Sequence, residues 1–169
     1  MIFSQDYTTA THLKFQRALI ILFVALVLKI VTLGAYPLMD MTEARYAEIA
    51  REMVTSNHWI MPQIDPGVPF WGKPPLSIWA TALSFKLFGI SEFTARLSSL
   101  IFVVGSIFLI FILAKYIENR LFALKTAVVM STMGLVYYMA SGVMTDPALL
   151  FTVTLSMVDL IIKVDRSNV

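Results

Sequence analysis

The sequence lacks cysteine altogether and is poor in charged residues. Without cysteine, disulfides and thiolate metal sites are excluded, and the redox compartment is left open. Charged residues make up 14% of the chain, whereas about a quarter is usual in soluble domains. The net charge of +2 comes from scattered basic residues, which argues against a nucleic-acid partner. The sequence is therefore not that of an ordinary soluble domain.

Long apolar runs dominate the chain, which is 58% hydrophobic. A helix needs about 20 apolar residues to cross the roughly 30 Å hydrocarbon core of a bilayer. Runs near that length predict about four transmembrane helices, at residues 18–36, 93–114, 121–139 and 147–162. We therefore expect one membrane domain over residues 1–169, an all-α polytopic helix bundle.

The topology depends on whether residues 75–90 cross the membrane. This fifth segment is short for a span and contains Lys86, so it suits an interfacial or buried helix. The loop at 115–125 and the C-terminal segment are both basic, and basic segments favour the cytoplasmic side. Both segments lie there if residues 75–90 do not cross. We therefore predict one outer loop, residues 37–92, that carries juxtamembrane helices.

The first apolar run has the features of an uncleaved signal anchor. Lys14 and Arg17 precede it, and no small-residue cleavage site clearly follows. We expect a multi-pass protein of the plasma (inner) membrane with both termini in the cytoplasm. Lys29 lies inside this run, where a charge is costly. The simpler interpretation is that its side chain extends toward an interface, and a functional role is the alternative.

The densest charge cluster follows the first run directly. The stretch PLMDMTEARYAEIAREM, residues 37–53, has apolar residues at helical spacing on one side and charges on the other. It predicts an amphipathic helix at 41–55 lying on the membrane. Asp40 followed by Glu43 fits a capping box, so the simpler interpretation is that both acids start a helix. A catalytic role for them needs further support.

The rest of the outer loop is rich in proline and tryptophan. Five prolines between residues 56 and 79 exclude a single helix. Lys73 is the lone cation between Trp59 and Trp79. A lysine suits phosphate, and tryptophan faces suit sugar rings or isoprenoid chains. The loop therefore either binds a lipid-linked anionic headgroup or only anchors the chain at the interface.

Five motifs in this order resemble one enzyme family. They are D-x-x-E-x-R-Y-A-E-I-A-R-E-M, H-W-I-x-P, G-x-P-F-x-x-K-P-P-L-x-x-W, L-F-G-x-S-E-F-x-x-R-L-x-S and M-T-D-P. The family is that of GT-C membrane glycosyltransferases of the protein O-mannosyltransferase and aminoarabinose (lipid A) transferase type. The resemblance runs from about residue 36 to residue 151. It implies transfer of a sugar from a polyprenyl-phosphate donor to a lipid or protein acceptor on the outer face.

The resemblance also implies roles for individual residues. Asp40 matches the catalytic aspartate, a general base for the acceptor hydroxyl. Glu43 is a candidate for supporting it through a hydrogen bond to Asp40 or to the donor. Lys73 matches the lysine on the phosphate side. Arg45 is a candidate for binding the donor, and Asp146 for shaping the site. Asp146 followed by proline is also an ordinary helix start.

Two departures from the family pattern limit what is carried over. The aminoarabinose branch commonly has an acid before the Lys-Pro pair, where this chain has Gly72. We therefore predict no metal ligand set and assign no cofactor, although a divalent metal is left open. His58 is either a metal ligand or, more simply, an interfacial side chain beside Trp59.

The second departure is length, because family members carry many more spans. We expect the N-terminal catalytic portion of a glycosyltransferase, acting with membrane lipids and with a polypeptide that supplies the missing spans. The alternative is a non-catalytic membrane protein that binds polyprenyl phosphate without turnover.

Overall fold

The computed structural model describes residues 2–65 and 67–167, with side chains from Leu13 onward. These residues form seven helices and one short hairpin. The helices are α1 Ile2–Leu33, α2 Met41–Ser56, α3 Leu76–Phe88, α4 Glu92–Ile117, α5 Arg120–Thr132, α6 Gly134–Met139 and α7 Asp146–Ser167. The hairpin pairs β1 Gln63–Asp65 with β2 Val68–Pro69 in antiparallel orientation. The predicted all-α membrane bundle is confirmed.

Three of the described helices are long and apolar enough to cross a membrane. They are α1 over Leu13–Leu33, α4 and α7. The prediction of one continuous span at 121–139 is wrong. Met133 has an extended backbone, with φ −62° and ψ 126°, and it separates α5 from the six-residue α6. Gly134 follows this break directly, and glycine weakens a helix interior.

The helices run back and forth between two ends of the bundle. At one end the Arg120 guanidinium lies 4.7 Å from the ring centre of Phe15, and the Tyr116 hydroxyl bonds to Asp165. The start of the apolar part of α1, at Leu13, and the start of α5 therefore lie beside the ends of α4 and α7. The opposite end carries α2, the hairpin, α3 and the loop at 140–145, and we call it the site end.

The amphipathic helix at the site end packs on protein. The apolar stripe of α2 forms a core with α3, the start of α4 and the loop before α7. Its buried members are Tyr46, Ala47, Ile49, Ala50 and Met53. The helix was correctly predicted, but the expectation that its stripe faces lipid is wrong. The short α3 fills the place that a bilayer was expected to fill.

The short helix predicted within residues 75–90 is α3, and its 13 residues make a rod of about 20 Å. Hydroxyl side chains join it closely to α4. The Thr81 and Ser98 hydroxyls lie 2.8 Å apart, and Ser84 donates to the Thr94 carbonyl at 2.7 Å. Small polar residues let helices approach closely in membranes. The segment is thus held against α4 by buried hydrogen bonds.

The proline-rich part of the outer loop is anchored by its tryptophans. The Trp79 indole donates to the Trp59 carbonyl at 2.8 Å, across twenty residues of chain. The turn of the hairpin contains Gly67 at φ 82°, a left-handed conformation that glycine adopts without strain. Trp71 remains 79% exposed, so one aromatic face stays available outside the core.

Candidate functional site

Asp40 caps α2 and remains open to its surroundings. Its backbone is extended, and its carboxylate accepts the Thr42 N–H at 3.2 Å. The predicted capping role of Asp40 is confirmed. The side chain is exposed, and one carboxylate oxygen accepts this bond, so it retains acceptor capacity for a proton or a ligand.

Glu43 forms an ion pair with Arg96, a residue for which the motifs predicted no role. The Arg96 side chain is fully buried, and its Nε donates to Glu43 Oε1 at 2.8 Å while Nη2 donates to Oε2 at 3.1 Å. Glu43 Oε1 also accepts the Val143 N–H at 3.2 Å. A carboxylate paired in this way holds its place more firmly than an exposed one.

Arg96 also binds the end of the first span. Its guanidinium donates to the carbonyls of Leu33 at 2.8 Å, Tyr36 at 2.7 Å and Pro37 at 3.0 Å. The last carbonyls of a helix have no partner within the helix, and Arg96 satisfies that of Leu33, the last residue of α1, along with two carbonyls of the segment that follows. Together with the ion pair to Glu43, these hydrogen bonds hold the chain on both sides of Asp40.

A sequence signal for Arg96 existed. The residue lies inside the predicted span 93–114 and in the fourth of the matching motifs. An arginine within an apolar run is expensive unless it has partners inside the protein. Its partner Glu43 is 53 positions away in sequence, and no local pattern indicates such a distant pair.

A cavity of about 230 Å³ lies in front of Asp40. Asp40, Thr42 and Glu43 line one side of it. The other side is formed by Tyr138 and the loop that precedes α7, with Ser141, Gly142, Val143 and Met144. The cavity is thus bounded by a carboxylate that is exposed and one that is locked in an ion pair.

A second cavity, of about 190 Å³, contains Lys73 and Asp146. Both side chains are exposed, and Thr145 and Thr152 line the same cavity. Met144 borders the first cavity and Thr145 the second. One loop therefore borders both cavities. The structure brings Asp40, Glu43, Lys73 and Asp146 to the same end of the bundle.

Other predicted site residues lie elsewhere. Arg45 is exposed and is not among the residues lining these two cavities. His58 is exposed. Within residues 2–65 and 67–167, no group of three histidine, aspartate or glutamate side chains comes close enough to hold a metal ion.

Gly72 has a steric reason to be a glycine. A Cβ at this position would lie 2.9 Å from the tip of the Phe70 ring, closer than side chains approach each other. Phe70 in turn contacts Tyr46 of α2 edge-on, with ring centres 6.0 Å apart. An acidic side chain at position 72 would have to displace this ring.

The exposed face of α2 carries an ion pair. Arg51 donates to both carboxylate oxygens of Glu48, at 2.8 and 2.6 Å. These hydrogen bonds hold the pKa of Glu48 below its ordinary value and raise that of Arg51. The pair lies away from the two cavities and stabilises the helix surface.

The fold and the arrangement of these residues define a multi-pass membrane protein with a polar site at one end of its helix bundle. A family model described as dolichyl-phosphate-mannose-protein mannosyltransferase matches residues 13–164, and the chain belongs to this family. The resemblance predicted from the five motifs is confirmed.

Relatives of known name support the same assignment. An undecaprenyl phosphate-alpha-4-amino-4-deoxy-L-arabinose arabinosyl transferase 2 of Proteus mirabilis is 37% identical over 69% of this chain and 21% of its own length. A transferase of this name from Yersinia enterocolitica is 32% identical over 83% of this chain and 25% of its own length. The chain therefore spans about a fifth to a quarter of these relatives.

A solved structure shows the same fold. The crystal structure of ArnT from Cupriavidus metallidurans in the apo state matches with a TM-score of 0.66 and 26% identity. The match covers 85% of this chain and 25% of that protein. The spans make up much less than the 85% of this chain that is matched, so the likeness extends into the outer loop as well.

Proposed function

We propose that this chain provides the acceptor-activating and phosphate-binding part of a membrane glycosyltransferase. The reaction moves a sugar from a polyprenyl-phosphate donor to a hydroxyl group of a lipid or protein acceptor. The observation that carries the proposal is the position of the Asp40 cavity beside the Lys73–Asp146 cavity, with one loop bordering both. The membership of the family gives this arrangement its chemical meaning.

Asp40 is the general base in this proposal. The acceptor oxygen forms a bond to the anomeric carbon, its proton passes to the Asp40 carboxylate, and the bond between that carbon and the phosphate oxygen breaks. A carboxylate that is exposed to the cavity can reach an acceptor, and a positioned base contributes about 10²- to 10⁴-fold to a rate.

Lys73 binds the phosphate of the donor and stabilises the charge that develops on the leaving polyprenyl phosphate. A fixed cation beside a leaving phosphate lowers the energy of the transition state. Asp146 lies in the same cavity and shapes it around the donor. Arg45, which is exposed on α2, contributes to donor binding from outside the two cavities.

Glu43 acts by position rather than by taking the proton. The residue is 7% exposed and its carboxylate is paired with Arg96, so its role is to fix the first turn of α2. We place the reaction on the outer face of the plasma membrane, with both chain termini in the cytoplasm. Further spans come from additional polypeptide, since the relatives are four to five times as long as the matched part.

The test is Asp40→Asn, assayed in membranes with this chain alone and with any polypeptide that supplies further spans. An undecaprenyl-phosphate-linked aminoarabinose is the first donor to use, because the relatives carry that name. Asparagine caps a helix as well as aspartate, so the fold stays intact. Transfer should fall about 10²-fold or more, while donor binding persists.

Asp65→Asn is the matched control, because Asp65 is also exposed but lies in the hairpin. It should leave transfer unchanged. Near-normal transfer by Asp40→Asn would make Asp40 only a helix cap. Donor binding without transfer by the unaltered protein would instead support a non-catalytic partner subunit.

A further inference from the structure

Lys29 is a buried charge within the first span. Its side chain is 5% exposed, so it does not end in water as the simpler interpretation expected. The ammonium bonds to the hydroxyl of Ser141 and lies 3.5 Å from the ring centre of Tyr137. Among the described residues, it has no acidic partner within salt-bridge distance.

Ser141 belongs to the loop that borders the Asp40 cavity. The Tyr36 hydroxyl donates to the Ser141 carbonyl at 3.3 Å, and the Val143 N–H donates to Glu43 two residues further on. The loop is thus attached to α1 by Lys29, to the end of the first span by Tyr36, and to α2 by Glu43. Asp146 lies three residues after Val143 and begins α7.

We propose that Lys29 is a positioning residue that fixes the loop at 141–144 and thereby the shape of the Asp40 cavity. Its consequence for catalysis rests on the proposed function, whereas its consequence for the loop does not. The position of residue 29 within α1 explains why a lysine is suited to holding this loop. Its long side chain crosses from the first span to a loop more than a hundred residues later, which no short polar side chain at this position could do.

An apolar side chain would serve better if position 29 only filled space. The residue lines a largely apolar cavity of about 190 Å³ with Leu26, Leu100 and Val103. A charge inside a membrane span is costly and usually has a functional partner. Lys29→Met keeps the length and removes the charge, so it separates the two interpretations.

The test measures the loop directly. The chain has no cysteine, so Val143→Cys provides a single thiol at a position that is 3% exposed. Its rate of labelling by a water-soluble maleimide is compared with Lys29 present and with Lys29→Met. Labelling should rise roughly tenfold, the change in a local opening equilibrium expected when a hydrogen bond to a charged group is lost.

Lys86→Met is the matched control, because Lys86 is exposed and lies over the Trp59 ring. It should leave labelling of Cys at position 143 unchanged. Ser141→Ala removes the acceptor of the Lys29 bond, together with the bond from the Ser141 hydroxyl to the Tyr137 carbonyl. It should reproduce the effect of Lys29→Met even if that variant inserts poorly. Unchanged labelling in both Lys29→Met and Ser141→Ala would overturn the proposal.

The activity measurement separates this inference from the proposed function. If both hold, Lys29→Met lowers kcat more than it raises KM for the donor, and Lys29→Arg restores part of kcat. If labelling rises but Asp40→Asn transfers normally, the positioning of the loop stands and the catalytic proposal fails. If Asp40→Asn is inactive but Lys29→Met labels slowly and transfers normally, this inference fails.

Discussion

Arg96 is the residue on which the geometry of the site end depends most. Its guanidinium makes five hydrogen bonds, two to Glu43 and three to carbonyls that follow or end α1. It also lies 4.0 Å from the ring centre of Tyr36. A guanidinium presents several donors in a rigid plane, which a lysine ammonium cannot imitate. One side chain thereby joins the first span, α2 and α4.

Arg96→Met should destabilise the protein strongly, because it leaves the Glu43 carboxylate buried without its cation. Breaking a buried ion pair from one side costs about 3–5 kcal/mol. The free energy of unfolding in mixed detergent micelles is the quantity to measure. Arg45→Met is the control, since Arg45 is exposed, and it should change the stability by less than about 0.5 kcal/mol.

The double variant Arg96→Met with Glu43→Gln separates the charge from the packing. It should recover part of the lost stability, because no unpaired charge remains in the interior. If the double variant is as unstable as the sum of the two single variants, the pair is not coupled. The assignment of Glu43 to a positioning role would then be wrong.

Glu48 gives a pH-dependent prediction on the surface of α2. Arg51 lowers the pKa of Glu48 below 4.5, so the pair contributes stability above the unfolded pKa of Glu48 and loses it as the pH falls through the folded value. Both side chains are well exposed, so the contribution is at most about 0.5 kcal/mol. Unfolding of Glu48→Gln should differ from that of the unaltered protein at pH 7, and the difference should disappear as acid protonates Glu48 in the folded protein.

At the scale of elements, α2 is held by protein contacts and not by the bilayer. Ile49 is 1% exposed and packs in the core that includes Ile78 and Phe85 of α3. Its apolar stripe could not reveal which apolar surface would cover it, since protein and lipid select the same pattern. The charged residues on the opposite side of α2 are equally compatible with a protein or a lipid surface under the stripe.

Ile49→Ala should therefore lower the free energy of unfolding by about 2–5 kcal/mol, as truncation in a packed core does. Met41 is the control, because it lies on the same helix and is 78% exposed. Met41→Ala should change stability little. Equal, small effects of the two changes in detergent would indicate that α2 is covered by lipid after all.

The sequence could predict most elements, because length and apolarity alone define a span. Residues 93–114 and 147–162 fall inside α4 and α7, and the short segment at 75–90 contains α3. The break at Met133 had only Gly134 as a signal, and a single glycine within an apolar run rarely decides a helix end.

The candidate site was predictable in part, for a different reason. Asp40, Lys73 and Asp146 stand in motifs that could be compared with a family, and the structure places them at one end. Arg96 and Lys29 act through partners 53 and 112 positions away in sequence. Pairs of that kind depend on how helices pack, which a single sequence does not encode locally.

At the scale of the whole molecule, the bundle makes distant residues neighbours by returning the chain to the same end. The loop before α7 meets Glu43 in the first turn of α2. This contact requires that α5 and α6 together carry the chain back from the end occupied by Arg120 and Phe15. Together, α5 and α6 therefore connect the two ends of the bundle, as the predicted continuous span at 121–139 would have done.

This arrangement predicts that the two ends of the bundle face opposite sides of the membrane. His58 lies at the site end and Glu118 lies between α4 and α5, and both are exposed. Because the chain has no cysteine, His58→Cys and Glu118→Cys each create a single reporter. An impermeant maleimide added to intact cells should label position 58 at once and position 118 only after the membrane is opened.

The orientation follows from charge, since the loop that contains Glu118 is otherwise basic and such loops stay in the cytoplasm. Lys115→Cys, on the same side as Glu118, should repeat its result, and labelling of both only after permeabilisation would fix the topology. Labelling of position 118 in intact cells, with position 58 protected, would invert the bundle and place Asp40 in the cytoplasm. Labelling of both positions in intact cells would mean that α3 crosses the membrane. The loop before α7 and Asp146 would then lie on the opposite side of the membrane from Asp40 and Lys73, and neither cavity could form.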